Sequence, residues 1–531
     1  YMEKTKKAGQ GSFVKSVFIL SLGGFIAKLL GAFYRIPLTN IIGSYGMGIY
    51  QLVFPLFSLL LTVSTAGIPV AVSKLVAEKA ADGRFGQAKG VFFMALALLA
   101  LLGLAGSAAL YFLAGDIAVR QGNADAADAY RLIAPSVLLV CVISAYRGYF
   151  QGLMRMAPTA LSQIVEQTVK MTVGLVAAAE FMPDVIKSVN FAVLGVTISE
   201  AAAAVMLAVT YAVSKRRDSG LVKAELSGKK ATVKSLLTLC LPITLSGLII
   251  PLTQLIDSVL VLNVLTAGNA TELYGLWAGP AHSLLNMPVV LTMGISTAIV
   301  PAVSRHYAEN DEKGAAKKAA FAVKLTVAVG LPCSLGLIVL ARPITALLYG
   351  GLSHAEISLA AKMVAAAGIS VLFLSLVQTA TAVLQAGGRL YAPVVFLLTA
   401  TAVKTVASRL MLGDSAINIF GAPLGSVICY FVACLLDLVY IVVRQKVRLD
   451  VVGVFIKPLA CGLVMTVFLM ATRNLAARYL PDFVSVVLLV GVGAAIYCLA
   501  AALLGVFDKD EAGRVPVVGK YLGKMYREKN K

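Results

Sequence analysis

Residues 47–67 read "MGIYQLVFPLFSLLLTVSTAG", a run of 21 residues without a charged side chain. A helix of about 20 apolar residues is long enough to cross the hydrocarbon core of a bilayer. Similar apolar runs recur along the chain, in which 59% of the 531 residues are hydrophobic and 14% are charged. A globular protein of this length could not bury so much apolar surface. The sequence therefore predicts an all-α polytopic membrane protein.

Charge clusters and turn residues divide the chain into fourteen predicted transmembrane helices. Their boundaries are near 12–36, 46–73, 89–113, 130–152, 158–182, 188–213, 235–263, 273–303, 315–341, 358–386, 391–412, 419–443, 455–477 and 484–507.

The distribution of lysine and arginine predicts the orientation of these helices. Most of the 46 basic residues lie in alternate connections that begin with the N-terminal tail, and segments 215–234 and 508–531 carry seven each. Because cytoplasmic loops are enriched in Lys and Arg, we expect both termini in the cytoplasm. The net charge of +20 then reflects topology and attraction to anionic membrane lipids. The scattered basic residues form no nucleic-acid-binding motif, so no nucleic-acid partner is expected.

An internal repeat relates the two halves of the chain. The stretch "AVSKLVAE" (71–78) returns as "AVSRHYAE" (302–309). Three further residues return with identical spacing: Gln151, Arg155 and Lys170 become Gln385, Arg389 and Lys404. Six helices per repeat is an even number, which predicts two pseudo-symmetric six-helix bundles related by an axis along the membrane normal.

The predicted domain organisation follows from this repeat. It comprises an N-terminal bundle (1–213), a basic cytoplasmic linker (214–234), a C-terminal bundle (235–444), helices 13 and 14 (445–507) and a basic cytoplasmic tail (508–531).

The fifth predicted helix carries a polar stripe. Thr159, Gln163, Glu166 and Lys170 are spaced by four, three and four residues, so they share one helix face. A charged side chain at the centre of a membrane helix costs about 2.5–3.5 kcal/mol, so such groups normally face a bundle interior or a wet cavity. Glu166 and Lys170 either neutralise each other as a structural pair or serve transport, and the spacing leaves both interpretations open.

The second repeat favours a cationic cavity. Four residues before Lys404 stands Ala400, so this lysine lacks the local carboxylate that Lys170 has. Two equivalent lysines facing each other across the axis would leave an excess of positive charge. An anion such as a diphosphate would suit that site.

Other charged residues within the predicted helices complete the candidate site. Lys28 and Arg35 are two turns apart on helix 1, and both are candidate diphosphate ligands, although Arg35 could instead lie at the membrane interface. Asp257 is a candidate partner of Arg35 or a proton acceptor. Glu200 and Asp437 occupy corresponding helices, where they could couple transport to protons or Na⁺ or form inter-helix hydrogen bonds.

The sequence predicts neither a catalytic residue nor a metal site. The seven cysteines all lie in apolar runs and lack metal-ligand spacing. We expect no cofactor, and coupling to the membrane potential, H⁺ or Na⁺ is the candidate energy source.

Four motifs resemble a known family. These are "GIPVAVSKLVAE" (67–78), "RGYFQG" (147–152), "PTALSQIVEQTVK" (158–170) and "IVPAVS" (299–304). They are similar to the stage V sporulation protein B group, in the polysaccharide-flippase branch of the multidrug/oligosaccharidyl-lipid/polysaccharide (MOP) exporter superfamily.

This resemblance implies a flippase of the bacterial plasma membrane. It would move an undecaprenyl-diphosphate-linked sugar, such as lipid II, to the outer leaflet by alternating access, for peptidoglycan or spore-cortex synthesis. Cell-wall synthesis enzymes would be its partners. The resemblance also implies that helices 13 and 14 shape a groove for the lipid tail and that cavity arginines engage the diphosphate. The helix at 47–67 lacks the arginine that many MurJ-type flippases carry there.

The sequence allows two alternatives to a flippase. A drug or cation antiporter of the same superfamily would favour an acidic, aromatic cavity, whereas basic residues are at least as prominent within these helices. A membrane glycosyltransferase or polymerase would need acidic catalytic residues in sizeable loops, but the predicted extracytoplasmic connections are short. The sequence therefore favours a transporter that is not an enzyme.

Overall fold

The computed structural model describes residues 2–65, 67–217, 244, 247–265 and 268–507, with the side chains of all of these except 2–22, 64 and 215–217. The predicted linker from 218 to 234, the start of the seventh predicted helix and the tail 508–531 lie outside the described residues. The described chain is helical and contains no β-strand. It divides into two compact units, Tyr1–Gly279 and Pro280–Lys531.

The first unit contains nine α-helices among its described residues. They are α1 (Met2–Thr65), α2 (Ile68–Ala81), α3 (Phe85–Phe112), α4 (Ala114–Gln121), α5 (Ala127–Gly152), α6 (Ala157–Glu180), α7 (Val185–Arg217), α8 (Ile249–Val264) and α9 (Ala270–Leu276).

The second unit contains eight α-helices among its described residues. They are α10 (His282–Ala308), α11 (Glu312–Leu348), α12 (His354–Ala367), α13 (Ser370–Ala386), α14 (Ala392–Gly413), α15 (Gly421–Arg444), α16 (Lys457–Tyr479) and α17 (Asp482–Leu503).

Helix α1 joins the first two predicted membrane helices across a break. Its 64 residues run as one element except at Gly43, whose φ of 69° and ψ of −172° are not helical. Glycine has no Cβ and adopts a positive φ without the steric cost that other residues carry. The predicted boundary between helices 1 and 2, near 37–45, therefore corresponds to a local break and not to a loop.

Ten helices in the described part of the chain are long and apolar enough to cross a membrane, or eleven if the α12–α13 pair, bent by 47°, is one span. The all-α membrane fold is thus confirmed, whereas the count of fourteen is not. Three differences account for the gap. The first two predicted spans fall in one helical run that only the break at Gly43 interrupts, the described part of the seventh is the 16-residue α8, and α6 lacks the apolar window of a membrane span because of its polar stripe.

The repeated prolines have the same structural role in both halves. Pro158 lies in the first turn of α6, and Pro393 lies in the first turn of α14. Proline suits a helix start because its missing N–H would have had no partner there. Arg155 and Arg389 precede these helices, and both are exposed. The internal repeat is therefore visible in local structure.

Small residues bring α1, α6 and α7 into close contact. A Cβ added to Gly23 would lie 2.6 Å from the Cβ of Ala160, and one added to Gly195 would lie 2.7 Å from the Cα of Gly174. In membranes, helix association depends on such close packing because lipid is as apolar as the side chains. These contacts fix the α6 stripe against its neighbours on α1 and α7.

We expect Gly195→Ala to destabilise the protein by about 1–3 kcal/mol, because the new methyl group would overlap the backbone of α6. Unfolding of the detergent-solubilised protein by heat or by a denaturing detergent measures this. Gly491→Ala on α17 is the matched control, since a Cβ there meets no atom within 4 Å. Equal losses in both variants would contradict the close-packing argument.

Candidate functional site

The polar stripe of α6 faces the inside of the first unit. Thr159 is only 1% exposed, while Gln163, Glu166 and Lys170 are partly buried. The opposite face of α6 presents apolar side chains outward, with Leu161 exposed by 55% and Val176 by 70%. Helix α6 therefore shields its charged groups from the lipid, as expected for charges within a membrane.

Glu166 forms an ion pair with Arg147 of α5. The Arg147 Nη2 atom lies 3.0 Å from Glu166 Oε2, and each side chain is 18% exposed. Arg147 Nε also donates to Ser162 Oγ at 2.9 Å. The other carboxylate oxygen, Oε1, accepts a hydrogen bond from Gln167 Nε2 at 2.9 Å. Both oxygens of this carboxylate are thus engaged by partners other than Lys170.

This arrangement gives Glu166 a contact partner other than Lys170, which the spacing within α6 had offered as one of two interpretations. The two side chains still attract each other electrostatically, but the partner that contacts the carboxylate is Arg147. The reason is tertiary: α5 and α6 are joined by a short turn, so a guanidinium near the end of α5 reaches the first turns of α6. A one-turn spacing within α6 could not reveal this contact.

Lys170 lies in a mixed polar and aromatic environment. Its Nζ atom lies over the ring of Tyr34, 5.6 Å from the ring centroid, which is within the range of a cation–π contact. It also interacts electrostatically with Glu166, Arg35 and Glu200. The ring therefore contacts the ammonium group, and the assignment of Lys170 to substrate binding stays a prediction.

Helix α1 contributes the second cation near Lys170. Arg35 is partly buried and acts on Lys170, whereas Lys28 is largely exposed. Gly31 lies between them, and a Cβ there would lie 3.0 Å from Gln167 Oε1. This segment of α1 therefore runs alongside the α6 stripe. The assignment of Lys28 and Arg35 to substrate binding stays a prediction.

Asp257 on α8 lies in the same neighbourhood as Arg35. The aspartate is partly buried, and both residues act electrostatically on the phenol of Tyr274. Their direct pairing stays a prediction, as does proton uptake by Asp257.

Glu200 is the second carboxylate next to the stripe. It is 6% exposed, and its Oε2 atom is buried with no hydrogen-bond partner among the described residues. It interacts electrostatically with Glu166, Arg147 and Lys170. A buried carboxylate oxygen without a donor is costly unless the group is neutral or acquires a partner.

The candidate residues of the second unit have a different setting. Lys404 on α14 is 3% exposed, and its side chain packs near Gly425 of α15. Asp437 on α15 is 1% exposed, and its Oδ1 atom has no hydrogen-bond partner in the described chain. The proposed approach of Lys170 to Lys404 stays a prediction.

Arg147 was not among the predicted site residues, although the repeat carries a signal for its contact with Glu166. With the spacing that relates Lys170 to Lys404, Glu166 corresponds to Ala400 and Arg147 corresponds to Thr381. The acid and the arginine thus occur together in one half and are both missing from the other. Two opposite charges that are present together in one repeat and missing together from the other are typical of an ion pair.

The second unit holds an apolar cavity of about 580 Å³. Its walls come from α10, α11, α16 and α17, with Phe507 at one side. Leu291, Leu325, Leu469 and Val490 are typical of its lining. The cavity suits a hydrocarbon chain, since its lining offers few polar groups.

No group of three or more His, Cys, Asp or Glu side chains that could hold a metal ion occurs in the described part of the chain.

Comparison with solved structures defines the class of protein. A multidrug-resistance MATE-family transporter of the MOP superfamily, in an inward-facing conformation, matches with a TM-score of 0.70 at 15% identity, over 81% of this chain and 98% of its own. The lipid II flippase MurJ, in an inward closed conformation, matches with a TM-score of 0.69 at 16% identity. The match covers 92% of this chain and 99% of the MurJ chain. The fold is that of MOP-superfamily membrane transporters.

The family follows from the sequence comparison. The model described as polysaccharide biosynthesis protein matches residues 13–307, and the MatE model matches residues 242–408. The chain therefore belongs to the polysaccharide biosynthesis protein family, and the resemblance noted from its motifs is confirmed.

Curated relatives from Bacillus subtilis (strain 168) match over almost their full length. Stage V sporulation protein B is 28% identical over 96% of this chain and 99% of its own, and the uncharacterized membrane protein YabM is 28% identical over 97% of both. The lipid II flippase MurJ is 24% identical over 95% of this chain and 97% of its own.

Proposed function

We propose that this protein is a flippase for an undecaprenyl-diphosphate-linked sugar, lipid II or a similar precursor of peptidoglycan or spore cortex. It carries the head group from the inner to the outer leaflet of a bacterial plasma membrane by alternating access, with both termini in the cytoplasm. Similarity to a lipid II flippase and to stage V sporulation protein B supports this proposal.

The cationic environment of Lys170 is the observation that carries the proposal. Three cations, Arg35, Arg147 and Lys170, lie with two carboxylates inside the first unit. Because Arg147 contacts Glu166, that carboxylate does not occupy Lys170 or Arg35, and these two groups are the candidates to contact an anion. Charge-assisted hydrogen bonds from such groups are the usual means of binding phosphate oxygens.

The apolar cavity of the second unit supports a lipid-linked substrate. Helices α16 and α17, which lie outside the repeat, form part of its wall. A polyprenyl chain is a long hydrocarbon, and its burial against leucine and valine side chains needs no polar partner. We propose that this cavity receives part of the tail.

The decisive experiment is a flipping assay with the purified full-length chain in proteoliposomes. Fluorescent lipid II in the outer leaflet should become inaccessible to a membrane-impermeant quencher faster with protein than without it. Rescue of a strain lacking its lipid II flippase, beside a strain lacking only a spore-specific one, would separate the two roles. Transport of cationic drugs without flipping would favour the antiporter instead.

Filling the cavity should impair transport of long-chain substrates. Gly336 lines the cavity, and a Cβ added there meets no atom within 4 Å, so Gly336→Phe would place a ring in open space. We expect slower flipping of an undecaprenyl substrate and little change for a short-chain analogue. Gly491→Phe, at an equally open glycine outside the lining, is the control. Equal effects on both chain lengths would contradict a tail-binding role.

A further inference from the structure

Two lysines lie at one end of the apolar cavity in the second unit. The Lys324 Nζ atom lies 5.6 Å from the centroid of the Phe507 ring, and Phe507 forms part of the cavity wall. The Lys457 Nζ atom donates a hydrogen bond to the carbonyl oxygen of Gly505 at 3.0 Å. Both ammonium groups therefore approach the same short segment, which follows the end of α17.

These cations mark the point where the apolar wall of the cavity ends. On α11, Lys324 directly precedes Leu325, the first residue of that helix in the cavity wall, and Lys457 is the first residue of α16. A lysine that only extends to the membrane surface keeps its ammonium group in water, whereas Lys324 is 9% exposed. Because burying a cation within a membrane protein costs free energy, such a residue indicates a functional site.

The cavity is longer than one leaflet of a bilayer. Its wall on α11 extends from Leu325 to Ile344, which is about 28 Å at a rise of about 1.5 Å per residue. The hydrocarbon core of a bilayer is about 30 Å thick, so one leaflet contributes about 15 Å. A phospholipid acyl chain fills one leaflet, whereas an undecaprenyl chain is much longer. The length of the wall therefore favours a polyprenyl chain as the occupant.

A hydrocarbon chain can reach this cavity from the lipid. Leu291 of α10 and Val490 of α17 both line the cavity, and they are 60% and 50% exposed. Deeper in the wall, Leu340 and Leu489 are each 2% exposed. The lining thus passes from exposed to buried apolar side chains, so a chain that enters meets no polar barrier.

We propose that Lys324 and Lys457 form a phosphate-binding subsite at the Phe507 end of the cavity, where they hold the diphosphate of the polyprenyl-linked substrate while the cavity holds its tail. This inference rests on the function proposed above, and it adds a position that the head group occupies when it is not held at Lys170. An ammonium group has three N–H donors, so Lys457 can donate to a phosphate oxygen as well as to Gly505. Basic residues between membrane helices are known to bind phosphate-bearing head groups.

Binding of undecaprenyl phosphate to the full-length protein in detergent tests this subsite. This probe has the polyprenyl tail and a phosphate but no sugar, and undecaprenol is its counterpart without the phosphate. Native mass spectrometry over a range of lipid concentrations gives both dissociation constants. In Lys170→Ala, which removes the anion site proposed in the first unit, we expect undecaprenyl phosphate to bind at least about tenfold more tightly than undecaprenol, because each charge-assisted hydrogen bond contributes about that factor.

Substitutions in the Lys170→Ala background assign this preference to the two lysines. Lys324→Gln/Lys457→Gln should abolish the preference for the phosphate. Lys362→Gln, at an exposed lysine of α12, is the matched control and should keep it. If the double change prevents folding, Lys457→Gln alone decides the question, since this lysine is only partly buried and its loss should still weaken the preference.

Each outcome bears on the subsite or on the proposed function. An unchanged phosphate preference in Lys324→Gln/Lys457→Gln would overturn the subsite and leave the flippase proposal standing. If dioleoyl phosphatidylglycerol displaces undecaprenyl phosphate at equal concentration, the site takes membrane phospholipids and its assignment to the polyprenyl substrate is wrong. If the phosphate preference is found but the wild-type protein does not flip lipid II in proteoliposomes, the proposed function is wrong and the lipid-phosphate site remains.

Discussion

Replacing Lys170 by alanine should reduce the affinity for a diphosphate-linked lipid by about tenfold to a hundredfold. Charge-assisted hydrogen bonds contribute about 1.5–3 kcal/mol each, and 1.4 kcal/mol corresponds to a factor of ten. The Nζ atom of Lys170 lies over the Tyr34 ring, and under the proposed function its loss removes a group that would contact the substrate. The flipping assay in proteoliposomes and a binding titration should show the loss together.

Two further variants separate charge from structure at this position. Lys170→Arg keeps the charge and should retain part of the affinity, whereas Lys187→Ala removes an exposed lysine of the first unit and should have little effect. The side chain of Lys187 is 66% exposed. Full flipping by Lys170→Ala in correctly folded protein would show that the diphosphate binds elsewhere.

Arg147→Ala should destabilise the first unit by about 3 kcal/mol. Removing one partner of a buried ion pair leaves the other charge without compensation, and such changes typically cost 3–5 kcal/mol. The lower end applies here because each side chain keeps 18% exposure. The midpoint of unfolding in detergent, compared with that of Arg389→Ala at an exposed arginine, measures the effect.

The double variant Arg147→Ala/Glu166→Ala provides the decisive comparison. It removes both charges, so it should recover much of the stability that Arg147→Ala loses. Additive losses from the two single changes would show that the arginine and the glutamate act independently, against their distance of 3.0 Å. The double variant should still bind the diphosphate, since Lys170 remains.

The class of fold could be predicted from the sequence because the length of an apolar run and the positions of charged residues are local features of the chain. The face of α6 was likewise predictable, since helical periodicity places Thr159 and Lys170 on one side. The starts of α6 and α14 follow from a local rule, since proline is favoured in the first turn of a helix.

Contacts between helices were harder to predict. The i, i+4 spacing favoured Lys170 as the partner of Glu166, but helix pairing brought Arg147 closer. Span counting from composition had a related weakness. The charges of the α6 stripe remove the apolar window that identifies a membrane helix, so hydropathy alone misses this helix, whereas charge clusters and turn residues predicted it at 158–182.

The glycine and alanine contacts among α1, α6 and α7 have a consequence for engineering. Gly23, Ala160, Gly174 and Gly195 set the distances between these helices through backbone contact, while the polar residues project from the same helices at other positions. The distances between the helices and the polar groups that they carry therefore depend on different residues. Exchanging Gln163 or Glu200 for other polar residues should therefore change the polar surroundings of the α6 stripe while the small residues keep the helices at their present distances.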